Sequence, residues 1–130
     1  MNMHTWNILL VDDEIEFIST LAERLELRGI NARVTYDGES ALKAVAEKEP
    51  QAMVLDVMMP GMRGLDVLQR VKEEHPNVRV ILLTGQGNNR DGIEGMRYGA
   101  FAYLTKPLDL EELIQTLSEA INSHEGSPNA

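Results

Sequence analysis

Short apolar runs and helix-spaced apolar stripes alternate five times along this chain. Ile8-Leu9-Leu10-Val11 is too short for a buried helix and suits a central parallel strand. Phe17, Ile18, Leu21, Ala22 and Leu25 then supply one helical stripe, which Gly29 stops. Residues 32–36 read as a second strand, weakened by Arg33. Asp37 caps the next helix, whose expected inner face is Ala41, Leu42, Val45 and Ala46, and Pro50 closes that unit. Residues 52–55 form a third strand. Asp56 follows it directly, and Pro60, Gly61 and Gly64 impose a loop. Leu65, Leu68 and Val71 mark a third helix, ended by His75-Pro76. Residues 78–83 are the longest strand and finish at Thr84. A fourth helix is expected from about Arg90 to Tyr98, with Gly92 and Gly95 each weakening it by about 1 kcal/mol against Ala. Residues 101–105 are the fifth strand, with Tyr103 expected on the same face as Phe101. The last helix carries Leu110, Leu113, Ile114, Leu117 and Ile121, with Asp109 as N-cap and Glu112 three residues on.

Five strands alternating with five helices imply a parallel sheet covered on both faces. Right-handed crossovers and short loops make a doubly wound α/β sandwich the economical topology. In such a sheet ligands bind at the carboxyl edge of the strands. The first strand ends in Asp12-Asp13, the third in Asp56, the fourth in Thr84 and the fifth in Lys106. Carboxylates converging in one crevice repel unless a cation compensates, and hard oxygen ligands of this kind suit Mg²⁺. Thr84 offers a hydrogen-bond donor and Lys106 a point charge for the oxygens of a phosphoryl group, leaving Asp56 as nucleophile.

Composition narrows the partners. The chain has 130 residues, enough for one domain with a real core. A formal net charge of −9 disfavours nucleic acid and anionic membrane surfaces alike. With no cysteine there is no disulfide framework and no thiolate metal site. The amino end lacks the pattern of a secretory signal, and no apolar run approaches membrane-spanning length. A soluble cytoplasmic protein is the expectation.

The acidic pair Asp12-Asp13, Asp56 followed by Met-Met-Pro-Gly, Thr84-Gly85, Tyr103 and Lys106-Pro107 stand in order at strand ends. On these residues the chain resembles a response-regulator receiver domain of bacterial two-component signalling, similar to the chemotaxis regulator, over residues 6–124. Residues 125–130 are then a flexible tail or the start of a linker. The resemblance implies a flavodoxin-like sheet of order 2-1-3-4-5. It implies that Asp56 accepts a phosphoryl group from a histidine kinase or phosphotransfer protein. Asp13, Asp56 and the backbone carbonyl of Met58 would ligate Mg²⁺, with Asp12 acting largely through water. Thr84 and Tyr103 would be the switch pair, Lys106 would bind a phosphoryl oxygen, and the Lys106-Pro107 peptide would be cis. The surface of the fourth helix, fifth strand and fifth helix would then control a downstream effector. Such a domain catalyses only its own phosphorylation and dephosphorylation.

Each residue has a plainer role to set beside this one. The acidic run 12–14 is suited to capping the first helix, though one acid suffices for that. Thr84 is a β-branched strand residue, Lys106 a strand-end lysine, and Tyr103 a packing residue. A flavin-binding protein of the same fold needs hydroxyls and glycines after the first strand, where Asp12-Asp13-Glu14 would repel phosphate. A Mg²⁺-dependent phosphohydrolase would place an Asp-x-Asp nucleophile there instead. A degenerate receiver serving only as an interaction module would lack some of the five functional positions, and all are filled.

Overall fold

In the computed structural model, which describes residues 3–126, a short 3₁₀ turn (Met3–Thr5) leads into five strands and five helices. The strands are β1 (Ile8–Val11), β2 (Ala32–Thr35), β3 (Ala52–Asp56), β4 (Arg79–Thr84) and β5 (Ala102–Thr105). The helices are α1 (Ile15–Leu27), α2 (Gly38–Glu47), α3 (Gly64–Glu74), α4 (Asn89–Arg97) and α5 (Leu110–Gly126). All pairings are parallel and the sheet order is β2-β1-β3-β4-β5, the flavodoxin-like arrangement expected. The reversal of strand order falls between β1 and β3, where Val11 pairs with Leu55.

The pleat sorts the central strands into two cores. Ile8, Leu10, Ala52, Val54, Ile81 and Leu83 face one side and pack with Ile18, Leu21 and Leu25 of α1 and Leu113, Leu117 and Ile121 of α5. Leu9, Val11, Met53, Leu55, Val80 and Leu82 face the other, against Ala41 and Val45 of α2 and Leu65, Leu68 and Val71 of α3. Near-continuous apolar runs in β1, β3 and β4 follow from this burial on both faces.

Local chemistry sets the helix ends. Asp37 accepts from the Ser40 amide at 2.7 Å, and Asp109 from the Glu111 and Glu112 amides at 2.9 and 3.2 Å. Asn88 caps α4 through the Asp91 amide, a cap not anticipated from the sequence.

Three expectations need correction. The inner face of α2 uses Ala44 beside Leu42, while Ala46 is exposed, because the stripe runs 41, 44, 45 at helical spacing. Val78 is buried but precedes β4: its amide bonds the His75 carbonyl in a turn. Phe101 and Tyr103 do not share a face. Phe101 precedes β5, so strand alternation does not govern it, and it packs with the α1/α5 core while Tyr103 packs with the other. Helix α5 extends as far as Gly126, and the tail or linker at 125–130 stands as an expectation. The remainder of that stretch, 127–130, lies outside the described residues.

Candidate functional site

Ladder hydrogen bonds carry the strand directions just past the strand ends and aim the polar groups at one edge. The Asp12 amide bonds the Thr35 carbonyl at 3.2 Å, the Val57 amide the Leu83 carbonyl at 3.1 Å, and the Lys106 amide the Thr84 carbonyl at 2.9 Å. Asp12, Asp13, Asp56 and Lys106 thereby meet in one crevice. Asp12 and Asp56 are buried and Asp13 is half-buried. One oxygen from each of the three carboxylates lies within 4.8 Å of the others.

The loop after β3 is fixed at both ends. Asp56 Oδ1 accepts from the Met58 amide at 3.1 Å, and the Gly64 amide returns to the Val57 carbonyl at 3.3 Å. A Cβ on Gly64 would stand 2.3 Å from the Asp56 carbonyl oxygen, so only glycine permits this approach. The Met58 side chain is exposed.

Lys106 supplies the positive charge. Its Nζ lies 2.9 Å from Asp12 Oδ2 and 3.8 Å from Asp56 Oδ2, and it also pairs with Glu14. The Phe17 ring centroid is 4.5 Å from the same nitrogen. Sequence reasoning singled out neither Glu14 nor Phe17 for this role. The signal for Glu14 was its place in the acidic run; Phe17 was read only as core.

Burial is the largest influence on Asp56 and pushes its carboxyl up to about 6; Asp12 adds to the rise, while the Met58 amide and Lys106 oppose it. For Lys106 burial is again the largest influence and pushes the ammonium down, but Glu14, Asp12 and Asp56 together outweigh it and hold the group above its ordinary value. Asp12 Oδ2 is buried and faces Lys106 off-axis, making no well-formed hydrogen bond. A buried carboxylate oxygen with unused acceptor capacity, within reach of two more carboxylates, fits a hard divalent cation such as Mg²⁺.

Thr84 is fully buried, and its hydroxyl donates weakly to the Leu104 carbonyl at 3.5 Å. Tyr103 is half-buried against α4. The Lys106-Pro107 peptide is cis, as the resemblance implied.

The family model of the response regulator receiver domain matches residues 8–118. Transcriptional regulatory protein CpxR of Klebsiella pneumoniae is 42% identical over 107 residues, covering 82% of this chain and 45% of CpxR. The crystal structure of the receiver domain of NtrX from Brucella abortus superposes with a TM-score of 0.85 at 31% identity, covering 89% of this chain and 98% of that one. A response regulator receiver domain protein from Clostridium thermocellum gives a TM-score of 0.87 at 30% identity, covering 92% and 97%. The chain spans about half the length of the curated relatives it matches first. Residues 8–118, with the sheet order and the strand-end crevice they build, belong to the response regulator receiver domain family of two-component signalling.

Proposed function

We propose that Asp56 is the phosphoryl acceptor of a Mg²⁺-dependent switch. The observation that carries this reading is the Asp56 carboxylate itself: buried, tied by one oxygen to the Met58 amide, and facing Lys106 with the other. A carboxyl near 6 is mostly ionised at neutral pH, so the group is a nucleophile there. It attacks the donor phosphorus, forming a P–O bond as the P–N bond of a phosphohistidine breaks. Asp12, Asp13, Asp56 and the Met58 carbonyl would hold Mg²⁺, which when bound offsets the charge of the carboxylates and the phosphoryl oxygens. Lys106 pairs with one phosphoryl oxygen and Thr84 donates to another.

Thr84 leaves its long contact with the Leu104 carbonyl for that donation, and Tyr103 responds on the other side of β5. The readout is the surface of α4, β5 and α5, where Ile93 and Met96 are exposed. Two states separated by a few kcal/mol suffice for such a switch. The partners are a histidine kinase or phosphotransfer protein upstream and an effector downstream, in the cytoplasm. With a net charge of −9 the domain itself is assigned no nucleic-acid contact. Among the described residues no helix is long and apolar enough to cross a membrane. Incubation with Mg²⁺ and acetyl phosphate should add one phosphoryl group by intact mass, and Asp56→Asn should add none. Normal labelling of that variant would remove Asp56 as the acceptor.

A further inference from the structure

Lys106 is already engaged before any phosphoryl group arrives. Its ammonium has three N–H groups, and Asp12, Glu14 and the Phe17 ring surround it, with Asp56 farther off at 3.8 Å. Glu14 is the N-cap residue of α1, yet its side chain makes no capping hydrogen bond. Its carboxylate goes instead to a lysine 92 residues away. The acid run therefore contains one member that neither caps the helix nor joins the three carboxylates grouped around the candidate metal site.

We propose that Glu14 and Phe17 form a resting seat for Lys106, and that Glu14 is the partner displaced when the ammonium transfers to the phosphoryl oxygens. Burial decides which partner yields. The Asp12 side chain is 0% exposed, so losing Lys106 would leave a charge in the interior. The Glu14 side chain is 63% exposed and passes to water at little cost. Phe17 keeps the ammonium at the crevice through its ring face while Glu14 is exchanged. Glu14 is thus a positioning residue: it competes with the acyl phosphate for the lysine and raises the threshold for switching. This deepens the acceptor reading and rests on it for the phosphoryl step, whereas the seat itself does not depend on it.

Two measurements test it. Reductive methylation followed residue by residue should label Lys106 about two- to fivefold faster in Glu14→Gln than in the unaltered protein, the range expected for a partly exposed ion pair. Phe17→Leu should act in the same direction, and exposed Lys43 serves as the internal reference. Beryllofluoride with Mg²⁺, a phosphoryl mimic, should bind Glu14→Gln about two- to fivefold more tightly. That gain should vanish in a Lys106→Met background. Unchanged Lys106 labelling in Glu14→Gln, or a gain of equal size without Lys106, would overturn the seat. Faster labelling in a protein that binds no beryllofluoride would leave the seat standing and remove the acceptor reading instead.

Discussion

The ring of Tyr103 fills a notch that exists because residue 92 is glycine: a Cβ there would lie 2.4 Å from the ring's Cδ1. A Cβ on Gly95 would likewise lie 2.0 Å from the Cδ1 of Leu82. The glycines that weaken α4 by intrinsic propensity are therefore the ones that let it close on β4 and β5. Gly92→Ala should gain about 1 kcal/mol of propensity but lose about 1–3 kcal/mol to overpacking. The net expectation is a small loss of stability in urea with the Tyr103 ring driven outward. Ring resonances unchanged by the substitution would show that the notch does not hold the tyrosine.

Asp56 makes the metal-free protein pH-sensitive in a defined direction. Its folded-state value, about 6, lies above the ordinary 3.8, so the folded protein holds the proton more tightly than the unfolded chain. The associated stability is fully present below about 3.8 and is lost as pH rises through about 6. In chelator at pH 7.5, Asp56→Asn should be more stable than the unaltered protein by on the order of 2 kcal/mol, and the gap should close near pH 4. Urea unfolding at the two pH values decides it; parallel pH profiles would contradict the burial argument.

Mg²⁺ should reverse part of that penalty. A ligand bound only by the folded state stabilises it by about 2.7 kcal/mol at a hundred times its dissociation constant. Thermal unfolding should rise with Mg²⁺, and Asp13→Ala should shift the titration to higher concentration. An identical titration in the variant would exclude Asp13 as a ligand.

On the proposed acceptor role of Asp56, the exposed Met58 side chain should affect how long the phosphoryl group persists. A thioether is a weak acceptor and no donor, so it cannot orient an attacking water, and its bulk helps exclude one. Gln86, also exposed, offers an amide that could hold a water from the opposite side, but it sits between two glycines. Met58→Asn should shorten the lifetime of the phosphorylated form at matched Mg²⁺ and temperature. A lifetime equal or longer in the variant would mean that Met58 does not guard the site.

The crevice was legible from the chain because parallel strands buried on both faces end abruptly in polar residues: Val11 before Asp12, Leu55 before Asp56, Leu83 before Thr84. Helix stripes were legible for the same reason, since α1 and α5 each bury a single face. Contacts set by long-range approach were not. Propensity treats Gly92 as a defect and has no access to the ring beside it. Alternation misplaced Phe101 because one residue outside the ladder breaks the count. The pairing of Glu14 with Lys106 spans 92 positions and required the fold to bring α1 beside the end of β5.

Gly64 sets how freely the neighbourhood of Asp56 can diversify. The two ends of the segment 57–64 are clamped together by the Val57–Gly64 backbone hydrogen bond and by a contact that admits no side chain. Between them, Met58, Pro60, Gly61 and Arg63 hang outward like beads on a closed clasp, while Met59 and Met62 turn back into the core beneath α2 and α3. Sequence change in the beads can retune entry, water access or partner choice without shifting the strand that carries the carboxylate. On the proposed acceptor role, a lineage can therefore explore signal duration and specificity at one loop while the Asp56 carboxylate stays where the sheet puts it.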